Sequence, residues 1–145
     1  MKSKLSIMKI DDYTEINELW NNIEGIGLRT IDDSIEGINK FLIRNSNTCF
    51  VNRINGSIVG TILAGNDGRR GYIYHLAVDV NHRLKGIGKQ LVKQALESFS
   101  KNDIHKVGIV IYRDNYEGNL FWEKLGFQLR EDLHYRNISL NESNK

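Results

Sequence analysis

Residues 76–92 read LAVDVNHRLKGIGKQLV. A short apolar run, a polar turn and an amphipathic run at helical spacing predict strand, turn and helix in that order. Gly86 and Gly88 stand at the helix start, among Arg83, Lys85 and Lys89. The first amides of a helix have no partner inside it, and the aligned peptide dipoles leave partial positive charge at that end. Anions bind there for both reasons. Glycine lets those amides approach a phosphate with no Cβ in the way. A strand that feeds such a helix implies an α/β architecture with an anion site where the two meet.

The rest of the chain fits that class. Loose alternation predicts a strand over Leu5–Ile10. Asp11 and Asp12 cap a helix over Tyr13–Ile23, with Ile16, Leu19, Trp20 and Ile23 on one stripe. Gly25–Asp32 is a loop. Asp33 followed by Glu36 resembles a capping box, starting a second helix with Ile35, Ile38, Leu42 and Ile43. TCFVNR and SIVGTILAG flank Ile54-Asn55-Gly56, and Asn-Gly between such runs predicts a hairpin. A second turn at Asn66-Asp67-Gly68 leads into a strand over Tyr72–Val78. A helix over Gly86–Ser100, a strand over Lys106–Tyr112 and a short helix ending at Gly126 follow. Phe127 to about Leu140 is strand-like, and 141–145 reads as a frayed tail. The order β-α-α-β-β-β-α-β-α-β predicts a mixed sheet with helices on both faces.

The 145 residues point to one domain over 1–145, and 40% hydrophobic with 26% charged residues is an ordinary globular balance. No apolar run approaches the ~20 residues of a membrane span, and the N-terminus has no apolar core of signal-peptide length. A single cysteine, Cys49, excludes an internal disulfide and fits a reducing, cytoplasmic setting; its strand-like run TCFV reads as core. A net charge of +2 is too small for a nucleic-acid partner. The local cluster of Arg69, Arg70, His82, Arg83, Lys85, Lys89 and Lys93 suits a small anion. Neither a membrane nor a nucleic acid is expected as a partner.

Three phosphate-binding designs share the glycine logic. A P-loop needs G-x-x-x-x-G-K-[ST], which is absent. A dinucleotide fingerprint needs G-x-G-x-x-G after the first strand, and here the third position is Leu91. The third design is R-x-x-G-x-G, present as Arg83, Gly86 and Gly88. With Leu76-Ala77-Val78 before it, and Asn115 followed by Phe121-Trp122-Glu123-Lys124-Leu125-Gly126-Phe127 after it, the sequence resembles the GNAT superfamily of acetyl-CoA-dependent N-acetyltransferases. The resemblance spans residues 4–140, and GNDGRRGYIYHLAV is similar to a small bacterial single-domain subgroup with D-G-x-R-G before the fourth strand.

The resemblance implies acetyl-CoA as co-substrate, with no metal. It implies that backbone amides over Lys85, Gly86, Ile87, Gly88 and Lys89, after Arg83 and Leu84, hold the pyrophosphate. Main-chain groups of Leu76, Ala77 and Val78 would pair with the pantetheine arm like an added strand. That requires the fourth and fifth strands to splay, which in this family accompanies a bulge in the fourth. Asn115 would contact the arm near its thioester, with Trp122 also against the cofactor. Trp122 stands where the family usually has a tyrosine acid, and an indole N–H donates a hydrogen bond but transfers no proton at ordinary pH. Tyr74 and Tyr116 are the nearby replacements.

No carboxylate lies on the fourth or fifth strand, so His75 is the one conventional base there. Strict alternation puts Tyr72, Tyr74, Leu76 and Val78 on one face and Ile73, His75 and Ala77 on the other. Trp20, Glu24, Arg29, Asp32 and Asp33 are the residues expected to face the acceptor, with Asp33 read first as a helix cap. The reading is direct transfer in a ternary complex to a small amine or peptide N-terminus, with a homodimer left open. The rival from another class is a non-catalytic acyl-CoA-binding module; a nucleotide-binding domain is weaker.

Overall fold

In the computed structural model, which describes residues 2–145, Asn55 and Gly56 form the expected hairpin turn with φ of 52° and 82°. The hairpin joins β2 (Phe50–Ile54) to β3 (Ser57–Asn66). β1 (Lys4–Ile7) pairs antiparallel with β2, and β4 (Gly71–Val78) pairs antiparallel with β3. β5 (Val107–Ile109) lies parallel to β4, completing a sheet in the order β1-β2-β3-β4-β5. The mixed sheet is the expected one. β1 ends earlier than its sequence suggested, because residues 10–12 form a 3-10 turn leading into α1.

Helices cover both faces. α1 (Tyr13–Asn21) and α2 (Ile35–Arg44) bury Ile16, Leu19, Trp20, Ile38 and Leu42 against one face, with Met8, Val51, Leu63 and Ala77. α3 (Ile87–Lys101) lays Ile87, Leu91, Val92, Ala95 and Phe99 on the other, joined by Trp122 of α4 (Tyr116–Lys124). Each such side chain contributes roughly 1.5–3 kcal/mol on full burial, so α3 is held mainly by its apolar stripe.

Four details depart from the sequence reading. The N-cap of α2 is Ser34, whose Oγ accepts from Gly37 N at 3.0 Å; Asp33 beside it is committed elsewhere. β5 is three residues long, where Lys106–Tyr112 was expected. Residues 127–140 form no strand: a strand needs a ladder partner, and among the described residues β5 pairs with β4 alone. Leu129, Ile138 and Leu140 are accordingly exposed, and Arg130 pairs with Asp132 through two 2.9 Å hydrogen bonds.

Residues 141–145 are not frayed either. Asn144 Oδ1 accepts from the amides of Ile31 and Asp32, and its Nδ2 donates to Asp32 Oδ2 at 2.8 Å. Thr30 exchanges further bonds with Ser143 and Lys145, so the end of the chain straps the loop between α1 and α2.

Candidate active site

The pairing of β4 changes part-way along. Its ladder with β3 slips between Leu63 and Ala64: Ile73 faces Ala64, His75 faces Leu63, and Tyr74 is left as the extra residue. The bulge reverses the alternation. Ile73 belongs to the α3-side core and Ala77 to the α1/α2-side core, although strict alternation puts them together. Tyr74 meets Phe41 of α2 with centroids 5.5 Å apart, and His75 meets Trp20 of α1 at 5.1 Å. Two consecutive side chains therefore face the α1/α2 side, which corrects the face assignment made from alternation.

The ladder between β4 and β5 covers Gly71, Tyr72 and Ile73 and stops there. Beyond the bulge, the outer edge of β4 from Tyr74 to Val78 has no strand beside it among the described residues. This is the expected splay, and the open edge runs toward the glycine turn.

That turn is built by backbone conformation. Asp79 accepts from Asn81 N at 2.8 Å and starts a 3-10 turn over Val80–His82. Leu84 and Gly86 then adopt the left-handed region, with φ of 63° and 79°. Gly86 is the N-cap of α3, and Gln90 is the first residue to close a helical bond, onto Gly86 O at 3.0 Å. The amides of Ile87, Gly88 and Lys89 precede that first bond, as a helix start dictates. The two glycines serve different needs. Nothing would obstruct a Cβ at Gly86, but its φ is costly for any other residue; a Cβ at Gly88 would stand 3.3 Å from Phe121 and 3.7 Å from Val78. Arg83, Leu84, Lys85 and Lys89 are exposed around it, and Arg83 Nε donates to Val78 O at 3.2 Å.

On the α1/α2 side, Asp33 is 8% exposed and accepts from Arg29 N at 2.7 Å. Its other oxygen lies 2.8 Å from His75 Nε2. His75 Nδ1 is buried with no partner. With its proton on Nε2 the ring donates to the Asp33 carboxylate and leaves Nδ1 as the unpaired atom. Burial holds the Tyr74 phenol above its ordinary value, with the neighbouring Tyr72, Tyr135 and Asp67 acting in the same direction. Tyr74 keeps its proton at neutral pH.

Other expected site residues lie elsewhere. Trp20 is fully buried and its indole donates to Thr61 Oγ1 at 2.9 Å, so it is core and not a substrate contact. Trp122 is 6% exposed and packs edge-on against Phe121 and Phe127. Burial in the α3-side core holds it there. Asn115 caps α4, accepting from Gly118 N at 3.0 Å. The side chain of Tyr116 is exposed and makes no ring contact or hydrogen bond with Tyr74 or His75. Glu24, Arg29 and Asp32 are exposed; Arg29 and Asp32 flank the Asp33–His75 pair, and Asp32 is engaged by Asn144. In the sequence Asp33 reads as a cap that also faces the acceptor. No local signal links it to a histidine 42 positions away.

No group of three or more His, Cys, Asp or Glu among the described residues could hold a metal. No helix among them is long and apolar enough to cross a membrane.

Known proteins share this fold. An acetyltransferase of Yersinia pestis (strain Pestoides F) is 27% identical over 130 residues, covering 90% of this chain and 91% of that protein. The crystal structure of Ard1 from Thermoplasma volcanium superposes with a TM-score of 0.80 at 19% identity, covering 90% of this chain and 85% of that one. PaiA N-acetyltransferase from Thermoplasma acidophilum, solved in complex with coenzyme A, gives a TM-score of 0.77 at 18% identity, covering 90% and 92%. Residues 13–127 match the acetyltransferase (GNAT) family, and the chain belongs to it.

Proposed function

We propose that the protein transfers an acetyl group from acetyl-CoA to a primary amine by direct attack in a ternary complex. One observation carries the reading: the β4–β5 ladder ends at Ile73, and the open edge from Tyr74 to Val78 leads to the amides of Ile87, Gly88 and Lys89. An extended arm can pair with the edge and a pyrophosphate can sit on the amides. Arg83, Lys85 and Lys89 add charge. The coenzyme A named in the PaiA structure supports the same cofactor here.

Three demands of the chemistry find candidates at the bulge. The acceptor ammonium must lose a proton before its lone pair attacks the thioester carbon. His75, held by Asp33 with its side chain 10% exposed, is the one imidazole on β4 and the candidate to accept that proton. The oxyanion that forms needs a donor, and the bulge leaves the backbone at Tyr74 without a partner across β3. When the carbon–sulfur bond breaks, the thiolate accepts a proton; the Tyr74 phenol supplies it and recovers one from the base through solvent. Cys49 is buried in the α1/α2-side core, with burial pushing its thiol up to about 12, so a covalent acetyl-cysteine route is not used.

The test is free-thiol release from acetyl-CoA across a panel of small amines and short peptides. Amine-dependent release is expected. One observation favours a second reading as a non-catalytic acyl-CoA-binding module: β4 and β5 carry no carboxylate. Thermal stabilisation by coenzyme A without thiol release under any amine would establish that reading instead.

A further inference from the structure

Tyr74 does not stand alone. Its ring meets Phe41 at 82° and lies 6.5 Å from the ring of Tyr72, two residues back on β4. Tyr72 in turn lies across Gly108 of β5, where a Cβ would come within 3.3 Å of Cε1. Any side chain at Gly108 would push against that ring. Tyr72 and Tyr74 are 44% and 57% exposed, so this aromatic shelf opens to solvent. It begins at the bulge, where the acetyl group would arrive, and extends along the paired half of β4, away from the glycine turn.

We propose that this shelf is the acceptor subsite and that it selects primary amines carrying an aromatic or flat apolar group. The proposal rests on the transfer reading and names its substrate class. An acceptor whose nitrogen reaches Tyr74 and His75 would lay its remaining atoms over Tyr72 and Gly108. Tyrosine faces reward flat, polarisable groups and lose little side-chain entropy in doing so. The local charge points away from a polyamine or other polycation. Asp67, in the turn before β4, already accepts at Oδ1 from the amides of Arg69 and Arg70, both at 2.8 Å. A polycation would need several free carboxylates there. None of Trp20, Glu24, Arg29 and Asp32 belongs to this shelf.

The experiment is calorimetric titration of phenethylamine, propylamine and spermidine into protein saturated with coenzyme A. Phenethylamine is expected to bind about tenfold more tightly than propylamine, as one aromatic contact allows. Tyr72→Ala should remove most of that difference, while Tyr72→Phe, which keeps the ring, should retain it. Tyr72→Leu keeps an apolar side chain on this 44% exposed strand position, so it decides the matter even if Tyr72→Ala fails to fold. Equal binding of phenethylamine and propylamine, tightest binding of spermidine, or unchanged phenethylamine affinity in Tyr72→Leu would overturn the proposal. Phenethylamine bound on the shelf but never acetylated would instead overturn the transfer reading and leave the shelf standing.

Discussion

Asp33 sits between two donors that it alone satisfies, the amide of Arg29 and Nε2 of His75. Its main-chain carbonyl also takes the Tyr13 hydroxyl at 2.6 Å. Removing the carboxylate leaves buried donors without partners, so Asp33→Ala should cost about 1–3 kcal/mol of stability. Chemical denaturation checks this; no change would mean that the pair is loosely held. Cys49 offers a pH test. Its thiol is raised from 9.0 to about 12 by burial, so the unfolded chain ionises first. The stability this contributes is complete below pH 9 and falls as pH rises from there to about 12. Native protein should resist iodoacetamide at pH 8 and react once denatured; rapid native labelling would contradict the burial. Trp122→Tyr places a hydroxyl among Phe121 and Phe127 in the core. It should lower stability by roughly 1–3 kcal/mol while leaving activity per folded molecule nearly unchanged, since the indole is buried in the core.

Among the elements, β4 decides the site, and it was only half legible in the sequence. Its length and apolar character were plain in GYIYHLAV, and Asn55-Gly56 announced the hairpin before it. The bulge was not. No glycine or proline marks it, and Tyr74-His75 reads as ordinary alternation until the register slips against β3. The glycine turn was legible because backbone chemistry demands those residues. Gly86 needs a left-handed φ, and Gly88 needs closeness to Phe121. The Asp33–His75 pair was invisible because tertiary packing alone brings it together. The segment over 127–140 shows the reverse case: a strand-like sequence without a ladder partner makes no strand. The strap at 141–145 was also hidden, since its bonds run to Thr30, Ile31 and Asp32, more than a hundred residues earlier. Asn144→Ala should speed amide hydrogen exchange at Ile31 and Asp32, which both donate to it. Unchanged exchange at those two amides would show that the strap does not hold the loop.

At the scale of the molecule, one sheet separates two tasks. The α3 face presents a helix start suited to a pyrophosphate, and the α1/α2 face gathers Tyr74, His75 and Asp33. The bulge connects them: it ends the β4–β5 ladder and turns Tyr74 and His75 to the same side. The central claim is that coenzyme A lies along the open half of β4 with its pyrophosphate on the start of α3. Amide chemical-shift mapping of isotope-labelled protein during a coenzyme A titration tests it most directly. The largest shifts should fall at residues 85–89 and 74–78, with residues 4–7 and 50–54 nearly still. Saturable shifts centred on β1 and β2, with the amides of Ile87, Gly88 and Lys89 unmoved, would contradict the account.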